Sequence, residues 1–64
     1  MQIEEVKRNL NKSVKYGEKS GYTLTACILR KSEKGFFYQA EILDDRHGKS
    51  VVICKLEDVR GEAE

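Results

Sequence analysis

His47 follows the carboxylates Asp44 and Asp45 by three and two positions, and it is the single histidine of a 64-residue chain that also holds two cysteines, Cys27 and Cys54. Thiol, imidazole and carboxylate are the parts of a nucleophilic triad, in which the imidazole takes the thiol proton and the acid orients the imidazole. The neighbourhoods argue against that use. His47 falls in a polar, glycine-containing turn over residues 44–49, and such turns are solvated. Both cysteines fall inside apolar runs, where small thiols are buried as hydrophobes. A structural zinc site needs four ligands in closely spaced pairs, and a calcium loop needs several oxygen ligands at defined offsets. Cys27, Cys54, His47 and the adjacent pair Asp44–Asp45 satisfy neither. Gly17, Gly21, Gly35, Gly48 and Gly61 punctuate turns and never cluster into a phosphate cradle. No catalytic residue, metal or cofactor is expected, and the chain is read as a non-enzyme.

Aromatic residues interleaved with cations are the stronger signal. Tyr16, Tyr22, Phe37 and Tyr38 stand near Lys12, Lys15, Arg30 and Lys31 in the sequence. Small β domains bind peptides or single-stranded nucleic acid through aromatic platforms flanked by basic side chains. The candidate binding residues are therefore Tyr16, Tyr22, Arg30, Lys31, Phe37 and Tyr38. The competing reading makes Tyr22 and Tyr38 ordinary core or rim residues of one strand face.

The elements that must hold these residues follow from the apolar spacing. Ile3, Val6 and Leu10 recur at three and four, which predicts a helix over about 2–10 with one narrow apolar stripe. Glu4 and Glu5 precede Lys7 and Arg8, the order that a helix dipole favours, and Asn9 and Asn11 suit the C-terminal cap. Strands are predicted over about 14–16, 22–31, 36–43 and 50–55 from period-two alternation and β-branched or aromatic content. A short turn at 32–35 joins the two long strands into a hairpin. Even positions Tyr22, Leu24, Ala26 and Ile28 are assigned to one face, and Cys27, Leu29, Phe37 and Leu43 to the other. That second face is too apolar to meet water, so the helical stripe is expected to cover it. Leu56 to Val59 reads as a tight apolar turn, and 60–64 as a polar tail.

The whole forms a single domain, 1–64, mainly β with an N-terminal helix (α+β). A chain of this length has a small core, because it buries only about 60% of the surface it exposes when unfolded. Basic and acidic residues nearly balance, 12 against 11. Residues 1–34 hold eight basic and four acidic side chains, and residues 35–64 hold four and seven. That small total lowers the case for a dedicated nucleic-acid binder but leaves room for a basic face. Charged residues interrupt the position where a signal peptide would carry its apolar run, and no run is long enough to cross a membrane. A cytoplasmic protein with reduced thiols is expected.

The order short strand, loop, long hairpin, third strand and apolar turn Leu56-Glu57-Asp58-Val59 resembles an SH3-like small barrel or half-barrel over about residues 12–61. A second resemblance is to short uncharacterised proteins of bacterial mobile elements and prophages. It rests on Leu24-Thr25-Ala26-Cys27-Ile28-Leu29-Arg30, Phe37-Tyr38-Gln39-Ala40-Glu41 and Ser50-Val51-Val52-Ile53-Cys54-Lys55-Leu56-Glu57-Asp58-Val59, and it implies an origin without an activity. Together these readings give a non-enzymatic interaction module with a protein partner. The alternative is a nucleic-acid-binding accessory protein that uses the basic N-terminal half. A monomer or weak homodimer is expected.

Overall fold

A computed structural model of the chain describes residues 1–46, 48 and 50–62. The elements run α1 (Ile3–Asn9), β1 (Ser13–Tyr16), β2 (Lys19–Ser32), β3 (Gly35–Asp44), β4 (Ser50–Lys55), a 3₁₀ turn (Leu56–Asp58) and β5 (Val59–Gly61). All strand pairs are antiparallel, in the order β4-β3-β2-β1-β5. The sheet is open and does not close into a barrel, so the mainly-β, α+β reading stands in its coarser form. The expected polar tail is corrected at its start: Arg60 and Gly61 belong to β5 and pair with Lys15 and Val14 of β1, and Gly61 is buried. Three residues carry too little alternation to announce a strand.

The decisive local feature of β2 is an irregularity between Leu24 and Ala26, where the pairing with β3 shifts from Leu24↔Ile42 to Ala26↔Glu41. A bulge adds one residue to one strand and so exchanges the faces of everything beyond it. Directly opposed residues share a face. The inner face therefore carries Tyr22, Leu24, Cys27, Leu29 and Lys31 opposite Asp44, Ile42, Ala40, Tyr38 and Phe36. The outer face carries Thr23, Ala26, Ile28 and Arg30 opposite Leu43, Glu41, Gln39 and Phe37. The unbroken even-residue face expected from Tyr22 to Ile28 is thus split at Thr25. The Thr25 hydroxyl lies 2.8 Å from a Glu41 carboxylate oxygen and 3.0 Å from the Glu41 carbonyl, both acceptors, which ties the bulge to β3.

The core lies on the inner face: Val6, Val14, Tyr22, Leu24, Ala40, Ile42, Cys54, Leu56 and Val59 form one buried cluster. Cys27 and Cys54 are opposite Ala40 on its two sides. Two strand spacings of about 4.8 Å hold their Cα atoms beyond the roughly 7 Å that a disulfide spans.

Helix α1 packs against the inner face, not over Phe37 and Leu43 as expected, and of its stripe only Val6 is buried. Ile3 and Leu10 remain 40% and 38% exposed. The N-terminal end is fixed where the Met1 nitrogen donates to the carbonyls of Leu56 and Val59 at 3.1 and 2.7 Å. At the other end Asn11 takes a positive φ of 63°, the left-handed conformation that asparagine tolerates after a helix. Its N–H then reaches the Leu24 carbonyl at 2.7 Å. Gly61 permits the close approach of the Asn9 side chain, since a Cβ there would lie 2.8 Å from Asn9 Oδ1. These ties leave the helix no freedom to cross to the outer face.

Candidate functional site

The six candidate residues separate into two groups at opposite ends of β2. Tyr16 and Tyr22 meet edge to face, ring centres 5.9 Å apart and planes at 89°. The Arg46 guanidinium lies 5.5 Å over the Tyr22 ring, and Tyr22 is buried in the core. Asp44, also buried, accepts from the Arg46 backbone N–H at 3.0 Å and sits 3.7 Å from its Nε. Asp45 accepts from the Thr23 hydroxyl at 2.8 Å. Both carboxylates thus hold the turn after β3 in shape. His47 lies outside the described residues. A shallow hollow of about 490 Å³ opens beside this end, lined by Tyr16, Gly17, Glu18, Lys19, Tyr22 and Asp58. Its polar rim carries charges of both signs. Tyr22 is a core residue here, as the competing reading had it.

The other four candidates come together. Beyond the end of β4, which pairs β3 only from Gln39 to Asp44, the β2–β3 hairpin continues as a two-stranded arm. Arg30 is opposite Phe37 on its outer face. Lys31 is opposite Phe36 on its inner face, with Nζ 5.8 Å from the ring centre, a cation–π geometry. The Arg30 guanidinium donates to the Gln39 side-chain oxygen, which holds it beside Phe37. Tyr38 is opposite Leu29 on the inner face. At about 3.3 Å per residue, Tyr22 and Arg30 stand about 25 Å apart, so no single ligand of small size touches both groups.

The arm also carries residues that the sequence reading left out. Phe36 is 70% exposed and Leu29 is 58% exposed, the most open apolar side chains of the arm. The bulge hid Leu29, which it moves from the outer face to the inner one beside Tyr38, whereas Phe36 keeps the face that its alternation with Tyr38 gives it. Phe36-Phe37-Tyr38 running opposite Leu29-Arg30-Lys31 across a short turn was the signal that could have found them.

Beneath the arm lies a groove of about 520 Å³ lined by Met1, Gln2, Ile3, Phe37, Tyr38, Gln39, Lys55, Leu56 and Glu57. It forms because β4 stops opposite Gln39 and turns away at Leu56, leaving the 36–38 edge of β3 uncovered. Its lining is mostly apolar and aromatic, with two amides, one cation and one anion among it. Such a surface suits a peptide side chain with its backbone amides.

Neither thiol is set up as a nucleophile. Burial raises the Cys27 thiol above its ordinary range, and burial followed by the nearby Asp58 charge raises Cys54; a reactive cysteine needs the opposite shift. Among the described residues no three histidine, cysteine or acidic side chains gather as metal ligands, and no helix is long and apolar enough to cross a membrane. Comparison with protein-family models, curated proteins and solved structures finds no match to this chain.

Proposed function

We propose that the chain is a non-enzymatic protein-interaction module that grips its partner with the β2–β3 arm and the groove beneath it. The observation that carries this reading is the arm itself. Leu29, Phe36, Phe37 and Tyr38 are all exposed on one projecting hairpin, four of the eight large apolar side chains that are exposed among the described residues. Solvent-facing apolar clusters of this kind mark sites that another molecule covers, and aromatic anchors dominate such contacts. The SH3-like reading is supported by β5 pairing beside β1 and by the 3₁₀ turn Leu56–Asp58 directly before it. The partner we envisage is a product of the same mobile element or of its host, met in the cytoplasm, where unpaired thiols stay reduced.

A second reading, single-stranded nucleic acid on the same arm, is favoured by Lys31 over Phe36 and Arg30 beside Phe37. One experiment separates the two. The protein is panned against a displayed random peptide library and, in parallel, titrated with fluorescent single-stranded DNA at low and high salt. The protein-interaction reading expects peptides whose binding falls at least about tenfold in Phe37→Ala and Tyr38→Ala, with the fold intact by circular dichroism. DNA binding that weakens steeply with salt, with no peptides recovered, would replace it by the second reading.

A further inference from the structure

Among the described residues, the second half of β2 is a strand edge with no neighbouring strand. Strand β1 pairs with β2 only as far as Ser13↔Thr23. Two more backbone hydrogen bonds extend this contact: Asn11 N–H to the Leu24 carbonyl at 2.7 Å, and Leu24 N–H to the Lys12 carbonyl at 3.1 Å. From residue 26 to residue 32 every register partner of β2 is on β3. Among the described residues, the other edge of that stretch has no neighbouring strand, so its outward N–H and C=O groups face solvent. Exposed edges are protected in most proteins by shortness, bulges, proline or inward charges. This one is long, and its bulge lies before the free stretch instead of within it.

We infer that residues 26–32 of β2 take an added strand from a partner protein, and that this strand alternates apolar residues and carries acidic ones. The inference rests on the protein-interaction reading and names its mode and partner class. Backbone bonding to an edge supplies affinity without sequence preference; side chains at alternate positions supply the selection. On the inner side an added strand would lie beside Cys27 and Leu29. Leu10, 38% exposed and next in sequence to the Asn11 that is bonded to Leu24, stands at the near end. That row calls for apolar side chains at every second position of the partner. On the outer side it meets Ile28 and then Arg30.

Charge selects the occupant. Lys12 flanks the start of the free edge, and Arg30, Lys31 and Lys34 flank its far end, with Glu33 as the single acid there. A second copy paired antiparallel over the same residues would set Arg30 and Lys31 of each chain opposite Ile28 and Cys27 of the other, gathering four cations in one short ribbon with no acid facing them. An acidic strand is attracted instead, and charge matching of this kind fixes register and suppresses wrong partners. The β4 edge, Ser50–Lys55, is also a sheet margin, but Lys55 is its one described cation and nothing there distinguishes one occupant from another.

The test uses the full chain and peptides recovered from a displayed random library. The selected sequences are expected to alternate apolar residues and to be enriched in Asp and Glu. Bound peptide is expected to slow hydrogen exchange of alternate amides within residues 26–32. The double change Arg30→Glu with Lys31→Glu, both on exposed positions, is expected to weaken binding by about tenfold or more with an unchanged circular dichroism spectrum. N-methylation of every second amide of the peptide is expected to abolish binding in one phase and spare it in the other, a readout that needs no change to the protein. Peptides that protect only residues 37–39 and 55–57 would overturn the strand-addition inference while leaving the interaction module standing. Acid-poor peptides indifferent to the charge reversal would overturn the partner class. Protection of residues 26–32 that grows with protein concentration alone would replace the acidic partner by a second copy. Recovery of no peptide at all would remove both the inference and the function on which it rests.

Discussion

Leu24→Ala and Leu29→Ala make the same chemical change on the same strand, yet the structure assigns them different costs. Leu24 is fully buried among Val14, Ile42 and Val59, and Leu29 is 58% exposed on the arm. Removing a buried leucine's outer carbons costs the transfer energy plus a cavity, about 2.7–5 kcal/mol in comparable sites. A domain of this length holds about 3–10 kcal/mol in total at the usual per-residue stability. Leu24→Ala therefore removes a large share, and in a marginal fold nearly all of it. For Leu29 the lost carbons amount to about 2.4 kcal/mol at full burial. With under half of the side chain covered and no cavity left behind, about 1 kcal/mol is the ceiling. One kcal/mol moves the midpoint of so small a domain by about 4–8 °C. Thermal melts followed by circular dichroism should thus show Leu24→Ala lowered by about 12 °C or more, or unfolded at room temperature, and Leu29→Ala lowered by a few degrees. If Leu29→Ala melts as low as Leu24→Ala, the inner face of the arm is covered in the free protein. The interaction surface and the open β2 edge then both fall.

Gly21 adopts φ +91°, and an added Cβ would lie 2.9 Å from Arg46 Nε; Gly21→Ala is expected to cost about 1–2 kcal/mol, read as a lowered denaturant midpoint. Thr25→Val keeps the shape of the bulge but removes the hydroxyl donor to Glu41, and should cost about 1 kcal/mol by the same measurement. The raised thiols predict a pH effect. Folding favours their neutral forms, so this contribution is whole below the unfolded thiol value of about 8.5 and is lost as pH rises through the folded values. Urea midpoints measured from pH 7 to about 9.5 should fall at the alkaline end, and Cys27→Ala with Cys54→Ala should flatten that fall.

Much of this architecture is written locally. Ile3-Val6-Leu10 at helical spacing is enough for a helix. The two alternating runs around Lys34-Gly35 are enough for a hairpin, and Ser50–Lys55 emerges with the boundaries its composition suggests, because apolar periodicity and turn residues act within a few positions. Four of the candidate binding residues, Arg30, Lys31, Phe37 and Tyr38, were legible for the same reason: a hairpin places 30 opposite 37 once its turn is known. Tertiary structure decided the rest. Strand β5 exists because β1 offers it an edge, and three residues cannot announce that themselves. Val6 became the anchor of the helix, while Ile3 and Leu10 stayed open, because the ends of α1 are tied to Leu56, Val59 and Leu24 from distant parts of the chain. Above all, the alternation of β2 is the same on paper with or without the bulge at Thr25. A period of two says which residues share a face only while the register holds, and the register of β2 is set by hydrogen bonds to β3, which no local pattern contains.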